Sequence, residues 1–351
     1  MKKKLLALAV AASVAPMGAY AVDSATVSGF ADIWYTVSDD ELGGVCSEGE
    51  AACAEGKFDV AGEIDFSLTK GAVTARLDID VNPGASESGT IEQAMFSWAA
   101  AENVTIIAGA FNNPIGWELE DAPDMYQFSH GQIWDILDGQ TALAGNNIAG
   151  IAAAVGFGMG SVTLGFLNDL QQTDDENSIA AIINLTPMEG LDLELGYVTQ
   201  SGQDDSANGG SYGKLHQVGS AEDVVDFNVT YKTGGITAAF EYLTADQIID
   251  SAFALYGNYD FGNGFGVTLR YDVVEYGGDA FLAANEGDVA ATTNLDNAED
   301  TETLTLAVSY AISDNLGAVL EWRSQDDANE DDGLAVIGDG DVVTLEFVAQ
   351  F

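Results

Sequence analysis

Lys57-Phe58-Asp59-Val60-Ala61-Gly62-Glu63-Ile64-Asp65-Phe66-Ser67-Leu68-Thr69 alternates apolar and polar residues almost without a break. Phe58, Val60, Ile64, Phe66 and Leu68 fall on one side of an extended chain. Lys57, Asp59, Glu63, Asp65, Ser67 and Thr69 fall on the other. A helix would mix the two sets, whereas a strand separates them. Lys70-Gly71 turns the chain. The same period resumes with Val73, Ala75, Leu77, Ile79 and Val81 against Thr74, Arg76, Asp78 and Asp80.

Working outward, the period predicts sixteen strands: near 25–37, 57–69, 72–81, 90–98, 104–111, 148–157, 161–169, 178–186, 191–200, 223–231, 236–244, 251–260, 265–275, 303–312, 316–324 and 341–351. Each is close to the ~9–11 residues that a tilted strand needs to cross a membrane. The connections alternate in length. The long ones are 38–56, 82–89, 112–147, 170–177, 201–222, 245–250, 276–302 and 325–340. Two to five residues make each of the others, such as 70–71, 158–160 and 232–235. Acidic residues crowd the long connections, whose one Lys or Arg is Lys214; the short turns hold only Glu102, Glu189 and Asp314. Short periplasmic turns and long outer loops are the habit of outer-membrane barrels.

Two observations decide which side of the ribbons is wet. Tyr35, Tyr197, Tyr242, Tyr271 and Trp322 fall toward the long-loop ends, and Tyr231, Tyr259, Tyr310 and Phe351 toward the short-turn ends. Such paired girdles suit the two interfaces of a bilayer. The opposite side carries Asp32, Glu63, Asp65, Arg76, Asp78, Glu194, Asp226, Glu241, Arg270, Asp272, Glu321, Arg323 and Glu346, too many ionised groups for a dry core. The expected fold is all-β: a transmembrane antiparallel β-barrel of about sixteen strands, with an inward-folded third extracellular loop. It forms one domain, residues 22–351.

The remaining composition narrows function. The 351 residues carry a formal net charge of −47, which excludes electrostatic capture of nucleic acid or anionic lipid. Two His and two Cys leave little for a multi-ligand metal site, and no metal or cofactor is expected. His130 and His216 show no nucleophile–base arrangement, so an enzyme is not expected. Acid-rich stretches such as 326–333 lack the spacing of a defined Ca²⁺ loop and read as hydrated surface, as suits a halophilic or marine source. Residues 1–21 read as a secretory signal peptide: Lys2 to Lys4, an apolar stretch, then Ala19-Tyr20-Ala21. In an exported chain, Cys46 and Cys53 are expected to form a local disulfide. The final strand alternates up to Phe351, like the C-terminal signal that the barrel assembly machinery reads.

The third long connection is unusual. It has two prolines and the large apolar residues Ile115, Trp117, Leu119, Met125, Tyr126 and Phe128. A long loop with such content is usually ordered and often functional. It is expected to fold into the barrel and narrow it; the alternative is an exterior cap on neighbouring loops. Folded inward, Glu118, Glu120, Asp121 and Asp124 would face the aperture, and Arg76, Arg270 and Arg323 would face the loop across the lumen. The run Ala108-Gly109-Ala110-Phe111-Asn112-Asn113-Pro114-Ile115-Gly116-Trp117-Glu118, followed by Asp121-Ala122-Pro123-Asp124-Met125-Tyr126-Gln127-Phe128-Ser129-His130, resembles the OmpL-like outer-membrane β-barrel porin family. There a Gly-x-Phe-Asn-x-Pro-x-Gly-x-Glu stretch precedes an aromatic-Ser run. Val27-Ser28-Gly29-Phe30-Ala31-Asp32 also resembles general bacterial porins. The resemblance implies a passive diffusion channel in the Gram-negative outer membrane. Its partners would be outer-membrane lipid and lipopolysaccharide, the assembly machinery at Phe351 and small hydrophilic solutes, with no cofactor and with a homotrimer as the common assembly of porins. The few Arg on the barrel face depart from general porins, and the acidic lining predicts a mild preference for cations. Two rivals stand beside it: a substrate-specific channel with solute contacts at Trp117, Tyr126 and Trp134, and a non-conducting structural or adhesive barrel.

Overall fold

The computed structural model describes residues 22–38, 57–81, 89–119, 121–139, 141, 143, 146–168, 177–199, 223–245, 249–276, 279–282, 291–294, 300–327 and 340–351. Residues 1–21, expected to be a signal peptide, and Cys46, Cys53 and Glu120 lie outside the described residues.

The strands are β1 (Ser24–Ser38), β2 (Lys57–Lys70), β3 (Val73–Val81), β4 (Thr90–Ala101), β5 (Val104–Asn112), β6 (Asn147–Phe157), β7 (Gly160–Asn168), β8 (Asn177–Met188) and β9 (Leu191–Val198). They continue as β10 (Val224–Thr233), β11 (Ile236–Ala245), β12 (Ile249–Asp260), β13 (Phe265–Tyr276), β14 (Asp279–Leu282), β15 (Ala291–Asn294), β16 (Thr301–Ser313), β17 (Leu316–Asp327) and β18 (Gly340–Gln350). Sixteen of them close into one barrel, each beside its neighbours in sequence, with β1 paired to β18. Every ladder is antiparallel: Ile33 lies opposite Val60 on β2 and Phe347 on β18.

Side-chain burial is inverted relative to a water-soluble protein. Phe58, Leu164 and Phe166 are 68, 59 and 56 % exposed, while Asp78, Asp226, Arg270 and Asp272 are fully buried. Alternation along each strand does this, one set facing out to hydrocarbon and the next facing in. Half-exposed Tyr231, Tyr259 and Tyr310 mark the short-turn rim; Tyr197 and Tyr242 mark the other. Tight turns hold the short-turn end. Thr233 pairs with Ile236 across Gly234-Gly235, and Gly234 has φ +56°, a conformation that costs a glycine no steric strain.

Three features depart from the sequence expectation. Strands β14 and β15 pair with each other in a two-stranded sheet that is not part of the barrel. The 112–147 connection carries a 3₁₀ turn (Ala122–Asp124) and a helix, α1 (Gln132–Gly139). The inner surface is also less polar than expected. Ala180, Ile182, Val198, Val224, Leu243, Ala245, Ile249, Ala252 and Ala254 are buried on it and pack with Ile133, Ile136 and Leu137 of α1 and with Ile115. An apolar wall is stable here because the helix covers it. Each of those loop side chains contributes about 1.5–3 kcal/mol by leaving water.

Candidate functional site

The 112–147 connection begins and ends on a closed base. Asn112 pairs with Asn147 across β5 and β6, and the Asn113 amide donates to the Asn146 carbonyl at 2.7 Å. From there the chain turns into the lumen. Ile115, 3 % exposed, sits over Gly196 of β9, where any Cβ would collide with its Cγ2. Gly116 has φ +97°, which favours glycine at this bend. The Trp117 amide donates to Glu241 of β11, and its indole Nε1 donates to Thr230 of β10.

Four residues later the chain has reached the far wall. Asp121 shares a hydrogen bond with Glu63 of β2 and lies in the field of Arg76 of β3. In the ring of sixteen, β11 and β3 are eight strands apart and therefore opposite. The contacts of Trp117 and Asp121 thus lie on opposite sides of the bore. The return leg is pinned along the third sector. Phe128 packs on Trp34 of β1 with ring centroids 5.7 Å apart. The Phe128 and Ser129 amides both donate to Glu321 Oε2 of β17, at 2.8 and 3.0 Å. Gln132 Nε2 donates to Thr303 Oγ1 of β16 at 2.6 Å.

Arg270 of β13 is the centre of this anchorage. Its Nη2 donates to the His130 carbonyl at 2.7 Å and to Ser129 Oγ at 3.1 Å, its Nη1 donates to the Ser129 carbonyl, and its Nε donates to Asp272 Oδ2 at 2.8 Å. Glu118 completes the cluster: it accepts from the Gly131 amide and from Gln127 Nε2, and its Oε1 lies 3.4 Å from Arg270 Nη1. Burial alone would raise the Glu118 carboxyl. The His130 and Arg270 contacts and the Gly131 amide outweigh burial and hold it below the usual carboxylate range. At Asp121 burial wins and pushes the carboxyl up. Burial also raises Asp138, which accepts from the Asn146 amide at 2.7 Å beyond the end of α1.

The open space lies on the β4–β9 side of the crossing segment. A vestibule of about 670 Å³ occupies the short-turn half, lined by Trp117, Tyr126, Asn184, Asp192, Thr230 and Lys232 among others. A narrower cavity of about 150 Å³ lies against Gln93, Met95, Thr163 and Glu194. The two share Glu118, Leu119, Asp124 and Asn184 as lining residues and therefore adjoin at these four.

The expected constriction set therefore divides. Asp124 lines both cavities and Asp121 lines the narrower one. Glu118 borders both, yet its carboxylate is spent on Arg270, Gln127 and Gly131 rather than offered to the passage. The three arginines were expected to face the loop across the lumen, and none of them lines either of the two cavities. Arg270 is bonded to the loop directly. Arg76 is held by Asp78, with Asp65 at 3.7 Å and Glu63 at 3.9 Å. Arg323 donates to Gln325 on its own strand at 2.9 Å. The physical reason is common to all three: a guanidinium in a narrow acidic bore finds a carboxylate or carbonyl within reach.

Of the aromatic residues, Trp117 and Tyr126 stack at 6.4 Å over the vestibule, with Lys232 Nζ 5.6 Å from the Tyr126 ring centre. Tyr256 of β12 lies 4.1 Å from the Trp117 ring and was not singled out by the sequence. Trp134 instead stacks on His130 at 3.7 Å and borders the narrower cavity.

Comparison with known proteins supports this architecture. Residues 60–351 match the family model described as "Putative beta-barrel porin-2, OmpL-like". No curated protein sequence matches the chain. Among solved structures, Salmonella typhi OmpF in complex with daunomycin is similar with a TM-score of 0.63 at 12 % identity, over 93 % of this chain and 97 % of that one. A loop-deletion form of OmpT, an outer membrane protein of Vibrio cholerae, gives 0.58 at 12 % identity, over 93 and 99 %. A mutant of Rh. blastica porin gives 0.57 at 13 % identity, over 93 and 100 %. Likeness at these identities concerns the fold.

Proposed function

The chain belongs to the OmpL-like β-barrel porin-2 family, and from that premise we propose that it forms a water-filled pore passing small hydrophilic solutes by passive diffusion, with a mild preference for cations. Family and fold together make it an outer-membrane β-barrel channel. The selectivity reading rests on one observation. Asp124, Glu194 and Asp192 line the two cavities, where Lys232 is the one Lys or Arg among the described lining residues, while the arginines are bound elsewhere. A passage lined this way raises the local concentration of cations.

Export through the residue 1–21 leader, insertion by the assembly machinery at Phe351, contact with lipopolysaccharide and a homotrimeric assembly belong to the same reading. Reversal potential in a salt gradient across a planar bilayer tests it. A cation-selective value is expected; an anion-selective value overturns the selectivity, and the absence of conductance steps overturns the pore. A second reading, a solute-specific channel, is favoured by the Trp117–Tyr126 stack beside Lys232 in the vestibule, with buried Tyr256 backing the Trp117 ring. Saturable current block by one class of planar or sugar-like solute, lost in Trp117→Ala, would establish it.

A further inference from the structure

We propose that the lumen wall carries a divalent-cation site built from Glu63 of β2, Asp80 of β3 and Glu92 of β4, suited to a hard ion such as Ca²⁺. Glu63 and Asp80 stand directly opposite in the β2–β3 ladder, and Asp65 and Asp78 form the next inward-facing pair. Like charges placed opposite each other oppose strand pairing. The β3–β4 ladder then slips. Asp78 pairs with Gln93 but Ile79 pairs with Ile91, which leaves Glu92 as the extra residue of a bulge. Glu92 and Gln93 are consecutive yet both buried, at 3 and 2 % exposure. The bulge has re-aimed Glu92 inward, beside the Glu63–Asp80 pair, whose one nearby guanidinium, Arg76, reaches Glu63 at 3.9 Å.

The geometry fits an ion rather than a crowd. One carboxylate oxygen from each of Glu63, Asp80 and Glu92 lies within 4.8 Å of the others. Oxygens bound to one Ca²⁺ at about 2.4 Å can be no more than about 4.8 Å apart. Asn147 Nδ2 donates to Glu92 Oε1 at 2.8 Å and so orients the carboxylate. Glu92 Oε2 and Glu63 Oε1 are buried without a hydrogen-bond partner. Arg76 serves Asp78 first, and among the described residues no Lys or Arg forms an ion pair with Asp80 or Glu92. Glu63, Asp65 and Asp78 are also mutually close, but Arg76 already supplies their positive charge. An all-oxygen, all-carboxylate donor set selects Ca²⁺ or a similar hard cation over Zn²⁺. The ion would also steady the crossing loop, because Asn147, which orients Glu92, closes the loop base and Asp121 lies beside Glu63. That effect on current rests on the pore reading; the binding itself does not.

The test is calorimetric titration of CaCl₂ into the purified, detergent-solubilised, chelator-treated chain. We expect one Ca²⁺ site whose affinity falls about ten-fold or more in Glu92→Gln and in Asp80→Asn, and is unchanged in Asp326→Asn, an exposed rim acid. Thermal unfolding provides a second readout. Ca²⁺ should raise the melting point of the parent chain and leave Glu92→Gln where it is in chelator. If Glu92→Gln does not fold, Asp80→Asn carries the same comparison. Equal Ca²⁺ affinity in the parent and both variants overturns the site, as does a weak uptake that Asp326→Asn reduces as much as Glu92→Gln. Normal binding with a current indifferent to Ca²⁺ leaves the site standing and overturns only its hold on the loop.

Discussion

The inner wall from β8 to β12 and the inner wall from β1 to β4 enclose the same bore, yet they are made of different material. The first presents Ala180, Ile182, Val198, Leu243 and Ala252 and is sealed by α1. The second presents Asp32, Glu63, Asp78 and Glu92, all buried, with Arg76 as the nearby base. The first wall holds the loop mainly by shape, with Glu194, Asp226 and Glu241 set among its apolar residues, and the second concentrates charge. A barrel interior is therefore two surfaces with separate tasks. The loop crosses from one to the other only where a polar contact receives it: Glu241 and Thr230 on one side, Glu63 on the other.

The largest break in this contrast should come from Arg270→Met. It removes the donors that hold Ser129 and His130 and leaves Glu118 and Asp272 buried without a counter-charge. A loss of about 3–5 kcal/mol is expected, read as a lower melting point in detergent, together with larger and noisier single-channel currents. Gly196→Val attacks the shape side alone. Its side chain would displace Ile115 and cost about 1–3 kcal/mol, with a smaller rise in current. If Gly196→Val proved as disruptive as Arg270→Met, apolar fit would outrank the charged anchor. Asp124→Asn combined with Glu194→Gln should leave the loop in place and lower the cation-to-anion permeability ratio about two-fold, measured by reversal potential.

The smallest effect concerns acid. Because the folded-state pKa of Glu118 is depressed, its contribution is present above the ordinary carboxylate value near ~4.3 and is lost as pH falls through the lowered one. Asp121 and Asp138 run the other way: with raised folded-state values, they favour the fold at low pH and this help fades as pH rises through those values. Glu118→Gln should therefore flatten the acid limb of a melting-point profile while leaving the decline due to the two aspartates. A profile identical to the parent's would show that Glu118 contributes nothing to holding the loop.

Strand number, order of turns and the outward face were legible in the sequence because hydrocarbon enforces alternation on every crossing segment. The apolar inner wall was not. Ser178-Ile179-Ala180-Ala181-Ile182-Ile183 is apolar on both sides, so period alone assigns neither a task. The helix left a trace in Ile133, Ile136 and Leu137, spaced three and four apart, but eight residues are too few for a periodic signal to stand out. The bulge that turns Glu92 inward depends on register between strands, which no single strand records. Loop acids were recognised, yet their division between anchors and passage was not. That division follows from which carboxylates meet a guanidinium or an amide once the chain is folded.

The ladder between β1 and β18 joins Ala31 to Ala349 and Ile33 to Phe347, residues more than three hundred positions apart. All other ladders of the cylinder join strands consecutive in the chain, β13 and β16 with only β14 and β15 between them. Until the last ribbon arrives, two bare edges remain, each able to template a foreign strand. Completion is a single late event of very high contact order, so the waiting intermediate is the species that a chaperone must shield.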